Sequence, residues 1–400
     1  MIAHKNLLKK LVLIATVFAV ALAPAAQAVP KSVSLKQITL LTKDVAAEGM
    51  VVTNKAIITY SNVAGVSADI QLRAIDFTGT QIWAKTIDSG RDEVATAIGV
   101  DAQGIIWLGG NSASATLPET STATAGALNP DSVTVEVPTE LRADMKNISL
   151  WQFSASGDLL SQVDSKVSQP ALVDALSANA SGISILLSRE SGQSLSSVRA
   201  GVFGKEIKIG TAKSKFNALH RATDGSTSLF GSSSETLGGK RLAGKVDGIL
   251  LKVSKTGSIA SVVRSSAAGA TRDWQSATAS NFLTGIVKSG KKIETAITKF
   301  NSAFAPTWTT RFLTTGASLA VSAEKGSVFA IFEPTAAVKG VTGWKPRKGQ
   351  ALALQFDSKG NLTGAFTDLL LSAPLAAGYS ADAGLVVLTK TGEILRTPSR

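Results

Sequence analysis

The chain has 400 residues and no cysteine, which excludes disulfide scaffolds, thiolate metal sites, cysteine nucleophiles and an anchor built on a lipidated cysteine. Histidine occurs only as His4 and His220, so clusters of several histidines around a metal are excluded as well. With 44% apolar and 18% charged residues and a formal charge of +12, the composition is that of a folded, basic protein rather than a disordered one.

Lys5, Lys9 and Lys10 lead into an apolar run from Leu11 to Ala23, followed by Pro24 and the small-x-small site Ala26-Gln27-Ala28. These are the three parts of a secretory signal peptide, here residues 1–28. The run is shorter than the roughly 20 apolar residues a spanning helix needs. No later segment is longer, so the expectation is a single domain, 29–400, with no transmembrane segment. It is expected outside the cytoplasm, extracellular or periplasmic and associated with the cell envelope. Losing the three leader lysines takes the charge from +12 to +9. Such a surface suits an anionic cell-envelope polymer, a polysaccharide, lipid headgroups or a protein. Export, and the lack of an Arg-rich helix or RNP-like strand, argue against nucleic acid.

From Val33 onward the chain alternates two kinds of hairpin. Val33 to Leu40 is a lone strand-like piece. Hairpins of one kind span Met50–Tyr60, Ile98–Gly109, Ala175–Leu187, Leu219–Gly231, Ala277–Val287, Leu319–Phe332 and Gly378–Leu388. The other kind carries a D-x-x-G-like turn and falls between them. It begins at Ile70, Ile148, Ile249 and Leu352, with weaker copies near Val198 and Glu294. Its turns read Asp76-Phe77-Thr78-Gly79, Ser154-Ala155-Ser156-Gly157, Ser254-Lys255-Thr256-Gly257 and Asp357-Ser358-Lys359-Gly360. Asp or Ser opens such a turn by bonding the backbone ahead, and Gly accepts the positive φ that closes it. Alternating apolar residues give each strand a buried face. Helical period is confined to a short stretch near Thr139–Met145.

Each unit therefore has four strands, repeated six times, with a seventh first hairpin near the C-terminus. Val33–Leu40 and Glu393–Thr397 are left over, and together they complete a seventh unit. This predicts an all-β, seven-bladed β-propeller whose N-terminal strand completes the last blade. Seven units over residues 29–400 average about 53 residues, a blade with its loops. The run Asp101-Ala102-Gln103-Gly104-Ile105-Ile106-Trp107-Leu108-Gly109-Gly110-Asn111-Ser112, after a strand and D-x-x-G turn, resembles the repeat of secreted bacterial seven-bladed β-propeller repeat proteins (SBBP-like). Leu117-Pro118-Glu119-Thr120, with Asn147 opening the next strand, is similar to longer copies of that repeat. The resemblance covers most of residues 33–397 and implies a fold, not an activity.

Motifs for chemistry are weak. Ala74 to Gly79, with Trp83 beyond, resembles the quinoprotein propeller repeat but is one residue short and unrepeated, so it reads as a turn with an apolar anchor. Leu117–Thr120 is followed by Ser121 in mid-chain, which excludes a sortase signal. His220, in Ala218-Leu219-His220-Arg221-Ala222, has no G-x-S-x-G elbow to serve. Asp92-Glu93 lacks the partner that glycoside hydrolysis requires. Calcium loops and phosphate-binding glycine loops are missing. Catalytic, cofactor and metal residues are thus none.

Loop length is the functional signal. Connections between second and third strands lengthen at 111–146, 232–246 and 333–349, and long loops in compact domains commonly carry function. The last contains Trp344, Lys345, Arg347 and Lys348, an aromatic among cations suited to an anionic or sugar-like partner. The expected function is a non-enzymatic propeller that presents a loop-rich face for binding. The alternative is a polysaccharide- or polymer-acting hydrolase or lyase at the channel mouth, marked by converging acids or an acid beside His220.

Overall fold

A computed structural model describes residues 32–114, 145–266 and 268–398. The leader 1–28, the motif Leu117–Thr120, and most of the connection 111–146 and of the stretch 139–145 lie outside the described residues. Residues from Ser32 onward form one unit by themselves.

The described residues of this unit are all-β apart from the short 3-10 turn Glu324–Gly326. One antiparallel sheet joins Gly49–Val52, Ile57–Ala64, Ala68–Ile75 and Gln81–Ile87. The next joins Glu93–Val100, Ile106–Ser112, Asn147–Phe153 and Leu159–Lys166. Leu172–Asn179, Gly182–Arg189 and Gly192–Arg199 come after it, with two short outer strands, Val202–Phe203 and Ile207–Lys208. Then come Ser214–Arg221, Thr227–Ser233, Asp247–Val253 and Ile259–Ser265. Pro374–Ser380, Gly384–Thr389 and Glu393–Arg396 form a further sheet, which Thr39–Lys43 completes.

The remaining strands are continuous in one nine-stranded sheet. This corrects the seven-bladed expectation: five blades stand as separate sheets, not seven. The cause is the seventeen-residue strand Pro306–Ser322. Its first half pairs with Lys292–Phe300 and its second with Val328–Pro334, with only a register shift between Thr314 and Ser318. The repeat pattern predicts two separate strands there, but no turn interrupts the run, and the hydrogen bonding passes through.

The N-terminal expectation is corrected too. Val33–Gln37, expected on the last blade, lies parallel to Leu362–Thr367 and to Val341–Thr342 in the nine-stranded sheet. Thr39–Lys43, a few residues on, pairs antiparallel with Glu393–Arg396. Ile38 between them is fully buried, and its N–H donates to the Thr367 carbonyl at 3.0 Å. Apolar contacts set this register, because Val33 and Leu35 pack beside Trp344 and Leu362, while Ile38 packs with Phe366 and Leu395.

First strands of neighbouring sheets pack side by side. Gly49–Val52 adjoins Glu93–Val100, which adjoins Leu172–Asn179, then Ser214–Arg221 and Thr271–Ala277. Pro306–Ser322 and Pro374–Ser380 return the path to Gly49–Val52, closing a ring. The core accordingly lies between sheets. One apolar cluster joins Ile70 and Leu72 to Leu108 and Trp151, and another joins Leu186 and Leu195 to Leu229 and Leu251. Where a first strand bulges, the neighbouring sheet supplies a side-chain amide. Asn62 bonds both the N–H and the carbonyl of Ala95, at 2.8 and 2.9 Å. Gln193 bonds both backbone groups of Phe216, and Asn217 reaches the Trp274 carbonyl. Groups that the bulge removes from the ladder are thereby satisfied.

The D-x-x-G turns have the predicted chemistry. Asp76 Oδ1 accepts the N–H groups of Thr78 and Thr80, and Asp357 Oδ1 those of Lys359 and Asn361. Gly360 has φ +86°, and a Cβ there would stand 2.7 Å from the Trp308 ring packed over it. Gly104 has φ +81° with open space around it. Gly104→Ala should therefore cost about 1 kcal/mol of backbone strain. Gly360→Ala should cost about 2–3 kcal/mol because Trp308 must also move. Thermal denaturation of both variants checks the difference, and equal losses would contradict the packing role of Trp308.

Candidate functional site

Antiparallel strands return the chain alternately to the two ends of each sheet. Turns after first and third strands share one end, and connections after second and fourth strands share the other. Two long second-to-third connections are described, 234–246 and 335–351. Each lies against the segment that enters the next first strand. Lys245 N–H donates to the Ala270 carbonyl at 2.9 Å, and Ala351 N–H to the Leu371 carbonyl at 2.7 Å.

Arg264 holds the connection 234–246 in place. Its Nε donates to the Lys240 carbonyl at 3.0 Å and its Nη2 to the Glu235 carbonyl. Its Nη1 meets Asp247 Oδ2 at 3.1 Å, and both side chains are buried. Asp247 also accepts the N–H groups of Ala243 and Gly244. Burial alone would raise the Asp247 pKa, but Ser266, these two amides and Arg264 outweigh it and hold the carboxyl below the usual range. Lys240, Arg241 and Lys245 are left exposed at the surface of the connection.

Trp344 plays the anchoring part in the connection 335–351. It is 7% exposed and packs among Val338, Val341, Leu362 and the N-terminal Val33 and Leu35. Val33 N–H donates to the Gly340 carbonyl at 2.8 Å, clamping the connection from outside. Lys345, Arg347 and Lys348 point outward with Lys339, all exposed. The four residues singled out in the sequence are thus divided: the indole faces the core and the three cations face solvent. Sequence reasoning missed Lys240, Arg241, Lys245 and Lys339, although counting charge along the long connections would have found them.

The remaining candidates do not assemble into a catalytic group. His220 is half-buried on Ser214–Arg221, and burial lowers its pKa with no carboxylate acting on it. Glu93 is fully buried; burial raises its pKa, and Ser89 Oγ donates to it. Asp92 turns to the Ala68 N–H at 3.0 Å, so the two carboxyls of Asp92-Glu93 serve different partners. A cleft of about 410 Å³ opens between the sheets 172–208 and 214–265, lined by Asp174, Ser188, Gln193, Lys215 and Asn217. Asp174 accepts from Gln193 Nε2 at 2.6 Å, and Asn217 donates to Asp273 at 2.9 Å. Burial raises the Asp273 pKa against Ser232, Lys215 and Asn217. Among the described residues no group of His, Asp and Glu side chains is arranged to hold a metal ion, and no helix is long and apolar enough to cross a membrane.

No family model matches the chain, and no curated protein matches it. Solved structures do. A streptogramin B lyase structure superposes with a TM-score of 0.50 at 10% identity, covering 90% of this chain and 96% of its own. The β-propeller domain of Myceliophteria thermophila Cps50 (Swd1) gives a TM-score of 0.50 at 10% identity, covering 91% and 99%. At this identity the likeness defines the class by fold alone. The chain is an all-β propeller, similar in architecture to a lyase and to the Cps50 domain at one residue in ten.

The connection 234–246 should loosen when its staple is cut. Arg264→Ala strands the buried Asp247 charge and should cost about 3–5 kcal/mol, with faster hydrogen exchange at 235–245. Because the Asp247 pKa is depressed, its stabilisation is present above the ordinary aspartate range and is lost as pH falls through the folded value. Asp247→Asn should reduce that acid sensitivity; an unchanged acid limb in the unfolding profile would contradict the assignment.

Proposed function

We propose that this chain is a secreted, non-enzymatic β-propeller that binds at the cell envelope through its loop-rich end. Residues 1–28 are its export leader in this reading. The observation that carries it is an imbalance of charge. The two described long connections hold the cations Lys240, Arg241, Lys245, Lys339, Lys345, Arg347 and Lys348 against the single acid Glu235. All seven cations are exposed, and no ion pair engages them among the described residues. The opposite end carries Asp76, Asp158, Asp224 and Asp357 in its turns. Hydrogen bonds within their own turns, first from Thr78, Ser156 and Ser226 for the first three, keep these carboxyls ionised. The basic character is local to the two long connections, since the turns of the opposite end also carry Lys55, Lys255, Lys325 and Lys359. A local patch of unpaired cations still favours an anionic partner.

The repeat resemblance to secreted bacterial propeller repeat proteins supports the same reading. So does the anchoring of both long connections, since cations on a fixed loop meet a partner without first being ordered. Replacing Lys345, Arg347 and Lys348 together by alanine leaves Trp344 and the core untouched. Binding to a purified anionic envelope polymer should weaken about tenfold or more at low salt, with a shallower salt dependence. Binding equal to the parent protein, at every salt concentration, would overturn the proposal.

A further inference from the structure

The loop-rich end also carries protruding apolar side chains. Val66 is 92% exposed at the tip of the connection 65–67, and Val63 just before it is 44% exposed. Val45 is 75% exposed on the segment 44–48, and Leu369 and Leu370 are 67% and 42% exposed on the segment 368–373. These segments adjoin one another. Lys390 N–H donates to the Ala373 carbonyl at 3.0 Å, and a Cβ on nearby Gly392 would stand 2.6 Å from the Val45 Cα. Glu48 then accepts from Asn62 Nδ2 at 2.7 Å, beside Val63. The segments that carry these five side chains thus follow an arc from 368–373 through 44–48 to 65–67. A single exposed valine is ordinary, but a row of them on adjoining loop tips marks an interaction surface.

We propose that this arc docks on a lipid bilayer with anionic headgroups. Val45, Val63, Val66, Leu369 and Leu370 enter the boundary between headgroups and acyl chains, while Lys345, Arg347 and Lys348 meet headgroup charge. The inference rests on the loop-rich end being the binding surface and names its partner as lipid. A soluble anionic polymer would engage the cations and leave the arc in water, whereas a bilayer engages both. Entry is shallow because loop backbone needs water or headgroup partners and cannot go into the hydrocarbon. Of the acids beside the arc, Asp44 is paired with Arg73 at 3.0 Å, whereas Asp368 and Glu48 are held by the neutral amides of Gln37 at 2.9 Å and Asn62 at 2.7 Å and keep their charge. The aspartates of the turn end face away from the membrane in this orientation.

The test is co-sedimentation of the protein with vesicles of phosphatidylcholine alone and of phosphatidylcholine with phosphatidylglycerol, beside binding to a soluble anionic polymer. The parent protein should bind the mixed vesicles and leave those of phosphatidylcholine alone largely free. V66S/L369S/L370S should lower partition into mixed vesicles about tenfold or more while leaving polymer binding unchanged. Ile82→Ser with Leu160→Ser, at exposed positions on outer strands, should leave both unchanged. Tryptophan at the tip, as Val66→Trp, should shift its emission to the blue on vesicle addition. Parent-level vesicle binding by V66S/L369S/L370S, or an unshifted Val66→Trp, overturns the lipid inference. Polymer binding without vesicle binding overturns it too, but leaves the envelope-binding reading intact. Failure to bind either partner removes both.

Discussion

The ring exists because two pieces of chain more than three hundred residues apart share a ladder. Thr39–Lys43 lies along Glu393–Arg396, and without it the last sheet would present a bare edge beside the first. Side chains reinforce the backbone pairing at one end. Lys43 Nζ meets Glu393 Oε1 at 2.8 Å, and the hydroxyls of Thr389 and Thr391 donate to Glu393 Oε2. Lys43 first, then these two hydroxyls, pull the Glu393 pKa down to about 2. Arg396 at the other end donates to the Phe77 carbonyl, in the turn of the neighbouring sheet. The same extended run, through Val33–Gln37, also covers the outer edge of the nine-stranded sheet and clamps the connection that Trp344 anchors. Closure and presentation of the basic loop are therefore one device.

Packing between sheets makes this device matter. Apart from the nine-stranded one, each sheet is only four or five strands wide and buries its apolar faces on its neighbours. Ile70, Leu72, Leu108 and Trp151 have no core of their own apart from the one that adjoining sheets make together. Opening the ring at one seam exposes two such faces. Amide latches such as Asn62 on Ala95 and Gln193 on Phe216 hold the seams in register, fixing the rotation of one sheet against the next.

Much of this was legible in the sequence, and the reasons are local. The D-x-x-G turns announce themselves because a carboxylate must cap the turn and a glycine must take positive φ, so the hairpins around Asp76, Asp101 and Asp357 could be read directly. Alternating apolar residues marked the strands around Ile70 and Ile249. Pairing between strands was harder. Whether Pro306–Ser322 breaks or runs through depends on its partners on both sides, and nothing within the run records that. The N-terminal register slipped for a similar reason, since Val33–Leu40 and Thr39–Lys43 have comparable patterns and only the contacts of Ile38 and Leu35 choose between them. At the loop-rich end the sequence exposed the cations of 345–348. Composition does not reveal which way an indole turns, and Trp344 was needed for the core. The cations of 240–245 and the apolar arc from Val45 to Leu370 become a surface only when the ring brings their segments together.

The dependence of the fold on its closing strand can be measured in the intact protein by native-state hydrogen exchange under increasing denaturant. The backbone amides that join Thr39–Lys43 to Glu393–Arg396 should exchange only through global unfolding, with the same free energy and denaturant dependence as those of the central strand Asp247–Val253. Exchange of the closing amides through a low-energy local opening, while the central strand stays protected, would show that the ring stands without its clasp.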